Sequence, residues 1–289
     1  MITEAFQHCR GVGPIRLAEL QQCGIRTWHD AVACPEQVPG VVRASVVDEC
    51  RRSLAALEAD DIQYFVDRLS PPDRWRILSR YLDKAAWFDI ETTGLEYDDT
   101  ITVIVCYHKR QLHTFVEHEN LDDFLDLLDD IDLLVSFNGS SFDVPRVLDA
   151  FHIPGLPCPH LDLRWSCYYH GLHGGLKHVS AHLGIQRPAD LRDADGELAV
   201  RLWSQWQQQG HSDSRDQLIR YCAADVLLLR PLSEFIARRP VTSTDQLWED
   251  LPSAAPLTPI GSPLEIRRQI LATQFGSASP SRLRMRRPR

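Results

Sequence analysis

Asp89 and Glu91 in AAWFDIETTGL, Asp143 in SFNGSSFDVPRV and Asp225 in LIRYCAADVLLL place four carboxylates on three separated segments. No other feature constrains the fold as tightly, because the spacing suits one site assembled from different pieces of a single α/β domain. Paired divalent ions need carboxylates that converge from several elements, and such ions do most of the chemistry in phosphodiester hydrolysis.

Each piece has its own geometry. Residues 85–90 are a short apolar run ending in a turn at Thr93 and Gly94, which predicts a buried strand. Side chains two apart on a strand share a face, so Asp89 and Glu91 project together. Residues 133–137 form a second apolar run, broken by Asn138-Gly139, and Asp143 follows at the start of a predicted helix. Residues 214–237 have helical apolar spacing, with Leu218, Ile219, Cys222, Val226 and Leu229 toward a core. Tyr221 and Asp225 are one turn apart on that helix and share a face. Taken singly, each piece has an ordinary structural explanation: a strand-end charge pair, a turn with a helix cap, a chance helix pair. Their joint occurrence, in order and each in its expected context, argues against coincidence.

The chain resembles the DEDD group of 3′–5′ exonucleases on the ribonuclease H-like fold. FDIETTGL is similar to that group's first motif, NGSSFD to its second, and YCAAD to its third in the tyrosine variant (DEDDy). The stretch LKHVSAHLGIQRPADLRDADGELAVRLWSQW resembles the YprB-like branch, itself similar to family B polymerase proofreading domains. The resemblance spans residues 75–237. One departure is Cys222, where the branch usually carries Asn after the motif tyrosine; it leaves the ligands intact and touches only local packing.

The resemblance implies an α/β, ribonuclease H-like mixed sheet flanked by helices, with Asp89 and Glu91 on its first strand. Asp89, Glu91, Asp143 and Asp225 would then bind two divalent ions, Mg²⁺ or Mn²⁺, since all-oxygen ligation suits hard cations. Tyr221 matches the residue that orients the attacking water. An unperturbed phenol titrates near pH ~10, which argues against a simple general base. The histidine variant is excluded because Arg220 and Tyr221 stand where it would carry His. Thr92, Thr93, Gly94 and Leu95 would lie beside the terminal nucleotide, with Gly94 allowing close backbone approach and Leu95 wedging against the last base. Asn138 is either a substrate or carboxylate partner or a simple turn residue. Lys177 is either a phosphate contact or a solvated helix-end lysine.

Outside this region, CRGVGPIRLAELQQCGIRTW puts Gly11 and Gly13 in a tight turn and Pro14 at a favourable first helical position. It resembles a helix-hairpin-helix element, whose backbone N–H groups, with Arg10 and Arg16 beside them, can meet a nucleic-acid phosphate. Residues 1–60 carry six Arg and eight acids, so docking of nucleic acid and a purely structural or partner-binding hairpin both remain open. A long helix is expected over residues 44–69, broken by Pro71-Pro72. The expected organisation is a small helical module over 1–70, the exonuclease domain over 75–238, and an irregular Pro/Ser-rich tail over 239–289. The last eight residues hold five Arg, either a salt-dependent phosphate contact or a solubilising end.

Composition bounds these readings. Eight scattered cysteines without a Cys-x-x-Cys pair indicate neither a disulfide framework nor a zinc site, with a cluster of Cys9, Cys23, Cys34 and Cys50 the lesser alternative. No apolar run reaches the roughly 20 residues a membrane span needs. The start lacks a secretory pattern, so a cytoplasmic protein is expected. The net charge of −9 disfavours a tight grip on long duplex, although eight acids crowd residues 117–132 and four more are the expected ligands. The expectation is therefore a metal-dependent exonuclease acting on single-stranded 3′ ends, DNA before RNA, with a possible repair or replication partner. The alternatives are an exoribonuclease trimming RNA 3′ ends and a catalytically silent adaptor that binds nucleic-acid ends.

Overall fold

A computed structural model describes residues 1–96 and 98–254, and residues 1–254 form one compact unit. The chain opens with a 3₁₀ turn at Ile2–Glu4, then helices α1 (Pro14–Gln22), α2 (Trp28–Ala33), α3 (Arg43–Glu58) and α4 (Ile62–Arg68). Gly11 takes φ 86°, a left-handed conformation that side chains resist, and Pro14 opens α1 as its fixed φ favours. Thr27 and Asp30 cap α2 reciprocally, Thr27 N donating to Asp30 Oδ2 at 2.8 Å.

The single helix expected over residues 44–69 is two helices. Asp60 turns left-handed at φ 52°, and the Asp61 carboxylate accepts the Tyr64 N–H at 2.9 Å, capping a new helix. Short acidic side chains favour such local bonds over helix continuation, a signal that apolar spacing alone overrides. Beyond the prolines lies a further helix, α5 (Trp75–Tyr81), which the sequence reading did not anticipate. Trp28 stacks on Phe65 at 6.0 Å, and Phe65 meets Tyr81 at 6.2 Å, so the amino-terminal helices and α5 share a core.

From α5 the chain enters β1 (Ala85–Thr92), β2 (Ile101–His108) and β3 (Gln111–Val116). Then follow α6 (Asp123–Leu128), β4 (Leu133–Ser136), α7 (Asp143–Ala150), β5 (His160–Asp162) and α8 (Leu163–Tyr169). The last elements are α9 (Leu176–His182), α10 (Gly196–Gln209), α11 (Ser212–Ile236) and α12 (Thr244–Leu247). The sheet order is β3-β2-β1-β4-β5. Pairs β1–β2 and β2–β3 are antiparallel, while β1–β4 and β4–β5 are parallel. This is the mixed, helix-flanked α/β sheet that the resemblance implied.

Central β1 is buried on both faces, hence its unbroken apolar run. Ala85 and Trp87 pack into the core shared with α11, where Trp87 Nε1 donates to Ser233 Oγ at 2.9 Å. Ala86, Phe88 and Ile90 pack on the opposite side with Phe124 of α6 and Val147 of α7. Each fully buried Phe or Leu here contributes about 1.5–3 kcal/mol. Most of the 239–289 segment, including its Arg-rich end, lies outside the described residues. The described part carries α12 and folds back, Trp248 Nε1 donating to Gln186 O at 3.1 Å. Among the described residues no helix is long and apolar enough to cross a membrane. All eight cysteines are free, and those four amino-terminal ones form no metal-binding group.

Candidate active site

The site forms outside the carboxyl ends of parallel β1 and β4, where open α/β sheets leave a crevice. Asp89 and Glu91 emerge on the face of β1 turned toward α11 and keep some exposure there. A register shift between Glu91 and Thr92 marks a bulge, a device that re-aims side chains at the end of a strand. After β4, Asn138 adopts φ 69°, and a Cβ on Gly139 would collide with Ser136. That reversal delivers Asp143 as the first residue of α7, its Oδ1 accepting the Ile90 N–H at 3.3 Å. Across the crevice, α11 presents Tyr221, Cys222 and Asp225, all buried.

Asp89, Glu91 and Cys222 offer ligand atoms within 4.8 Å of one another. Asp143 is tied to β1 beside them, and Asp225, outside this tightest group, is ion-paired with Arg187. The guanidinium carbon is 5.4 Å from the centre of the Tyr221 ring. Arg187 thus sets its positive charge beside Asp225 and Tyr221.

Burial pushes Asp89 up to about 7, against the pull of Arg187. Glu91 and Asp143 are also raised well above ordinary carboxylates, by burial and then by the charge of Asp89. Tyr221 is raised by burial and by Glu91, so its phenol stays protonated and is a donor, not a base. Such a cluster is short of positive charge. Its carboxylate oxygens are hard donors that fit Mg²⁺ or Mn²⁺.

Cys222 and Arg187 were missed as site residues. Cys222 reaches Asp89 through its Sγ, 3.5 Å from the backbone oxygen and 3.8 Å from Oδ2, so the departure from Asn changes the site itself. Arg187 lies in a loop before Pro188, where no periodicity marks it. Lys177, the second residue of α9, is exposed, while its Nζ donates to Ala194 O and sits 5.4 Å from the Tyr221 ring centre. Burial and then Arg187 lower its pKa.

Glu91, Thr92, Gly94 and Leu95 line a cleft of about 380 Å³ with Phe142 and the start of α10. Leu95 is 83% exposed over it. The Thr92 hydroxyl donates to Gly94 O at 2.5 Å and that of Thr93 to Asp99 Oδ1 at 2.8 Å, so both brace the turn. A Cβ at Gly94 would meet the Asp99 carboxylate, which would have to move aside. Asn138 Oδ1 accepts from Arg164. Gly11, Gly13 and Arg16 lie at the start of α1, where Arg16 pairs with Glu19; among the described residues no hydrogen bond or ion pair links them to the carboxylates.

No curated protein matches this chain. Among solved structures it is similar to the family B DNA polymerase from the hyperthermophilic archaeon Pyrobaculum calidifontis, at 16% identity and a TM-score of 0.41. That match covers 58% of this chain and 28% of the polymerase. A family model described as the RNase_H superfamily matches residues 86–237, more than half of the sequence and the whole of the sheet with its carboxylates. The chain belongs to the ribonuclease H superfamily.

Proposed function

We propose that this protein is a metal-dependent 3′–5′ exonuclease of the DEDDy type that hydrolyses phosphodiester bonds at single-stranded ends, DNA in preference to RNA. The observation that supports this reading is the pairing of Asp89 and Glu91 on β1, with Asp143 tied to the same strand and Asp225 on α11, which packs against it, the first three carboxyls being raised by burial. These four residues would hold two divalent ions, which when bound supply Lewis acidity toward the scissile phosphate. Tyr221, kept protonated, donates its hydroxyl hydrogen to position the attacking water. The 380 Å³ cleft under Leu95 takes the terminal nucleotide, and Asn138 contacts the substrate beyond it. Lys177 and Arg187, beside Tyr221, supply cationic charge to the phosphate.

The YprB-like assignment and the domain limits belong to the same proposal: a helical module over 1–70, the exonuclease over 75–238 and a tail over 239–289. The Gly11–Gly13 turn with Arg16 would dock nucleic acid through its backbone, helix-hairpin-helix fashion. The test is incubation with end-labelled single-stranded DNA and RNA in Mg²⁺, in Mn²⁺ and in EDTA. Metal-dependent shortening from the 3′ end, faster on DNA, is the expected result. Faster RNA trimming would reassign the substrate, and metal-independent binding without cleavage would make the protein an end-binding adaptor.

A further inference from the structure

We propose that a second cleft, walled by α8 and the start of α9, binds the unpaired bases upstream of the end that occupies the carboxylate centre. The direction of the strand rests on the exonuclease reading above; binding of bases to the cleft does not. The cleft measures about 870 Å³, and its residues include Asn138, Arg164, Trp165, Tyr168, His173 and Gly175.

Trp165 is 46% exposed and Tyr168 53%, unusual for large aromatic side chains. Neighbouring rings meet edge to face, Trp165–Tyr168 at 6.3 Å and 71° and Tyr168–His173 at 5.0 Å and 69°, so these rings do not stack on one another. A base has a π-face to offer such rings whatever its sequence. Gly175 leaves the opposite wall bare, since a Cβ there would meet nothing within 4 Å, and a sugar-phosphate backbone can approach it closely.

Charge selects the occupant. In a chain with 40 acidic residues, none of those lining this cleft is acidic, while Arg164 lies on its wall. The carboxylate nearest in sequence, Asp162, turns inward to accept the N–H groups of Asn138 at 2.7 Å, Ser140 at 3.1 Å and Arg164 at 3.0 Å. The walls also run into the active site. Asn138 precedes Gly139, whose missing Cβ would lie 3.4 Å from Asp143 Oδ2. On the other side, the cleft residue Leu176 precedes Lys177, which rests against Tyr221. A strand lying between the aromatic rings would therefore lead its terminus to the carboxylates.

The experiment is fluorescence anisotropy of the full chain with 5′-labelled oligothymidylates of increasing length in EDTA, where no turnover occurs. Trp165→Ala and Tyr168→Ala should each weaken binding of a dodecamer about tenfold, the scale of one lost base–aromatic stack. Tyr168→Phe, which keeps the ring, should restore it. Phe235→Ala, an exposed aromatic on α11, should bind as wild type. Circular dichroism melting checks that the variants fold. Wild-type affinity in both alanine variants, or no dodecamer binding by the wild type, overturns the proposal. Cleavage with Mn²⁺ by a wild type whose cleft variants bind normally would sink the cleft and spare the nuclease. Loss of binding in the variants of a wild type that never cleaves would do the reverse.

Discussion

Two groups of buried carboxylates in this molecule have opposite fates. Glu49 on α3 is nearly inaccessible, yet Arg68 grips it with bonds of 2.8 and 3.0 Å, Arg52 at 2.5 Å and the Tyr64 hydroxyl at 2.9 Å. Burial raises its pKa, but those hydrogen bonds outweigh it and hold the carboxyl down at about 2. Asp89 and Glu91 feel the charge of Arg187 and Asp143 accepts the Ile90 N–H, but burial outweighs both and all three rise. The lesson is that burial of an acid does not mark function; shortage of matched donors does. A satisfied carboxylate holds helices together, whereas an unsatisfied cluster is ready for cations.

The largest effect that tests this contrast is on turnover. Asp89→Asn and Asp225→Asn should each lower exonuclease rate on the order of 10³-fold, the several kcal/mol a lost ligand removes from transition-state stabilisation. Near-wild-type rates would break the assignment. Next comes stability. Glu49→Gln should lower the urea midpoint, because it takes the carboxylate from Arg68 and leaves Arg52 only Asp48. Asp89→Asn in EDTA should cost nothing or stabilise, because it removes an anion that the fold leaves uncompensated. Equal losses at both sites would erase the comparison.

Added Mn²⁺ at a hundredfold excess over Kd should stabilise the wild type by about 2.7 kcal/mol and leave Asp89→Asn unmoved. Arg187→Met should lower metal-free stability and tighten Mn²⁺ binding seen by calorimetry, since the ion no longer competes with a guanidinium.

The smallest effect is in pH. Glu49 is depressed below its ordinary value of 4.5, so its contribution is complete above that pH and fades as pH falls toward about 2. Asp89 is raised from 3.8 to about 7, so in EDTA the native state binds the extra proton between those values. Metal-free stability should therefore fall as pH climbs from 5 to 7, a slope that Asp89→Asn should flatten. A rising slope in the wild type would contradict the assigned sign.

Local pattern made much of this legible. The β1 and β4 runs, the start of α7 at Asp143 and the Tyr221–Asp225 face of α11 all follow from spacing along one element. What was not legible depends on partners distant in sequence or on competition between local signals. The Asp60–Asp61 break lost to apolar periodicity in the reading, and α5 hid behind two prolines. Arg187 and the aromatic cleft carry no motif, because a lone loop Arg and scattered Trp and Tyr look alike in many contexts.

By itself the sequence determined which residues are anionic, which segments are strands or helices, and on which face of each element an acid must stand, because backbone periodicity is local. Only the tertiary structure decided which acids are neutralised and which are left short of charge. That outcome turns on where an Arg from another element is delivered: Arg68 of α4 reaches Glu49 of α3, whereas Arg187, from the loop before Pro188, pairs with Asp225 and leaves Asp89, Glu91 and Asp143 raised by burial.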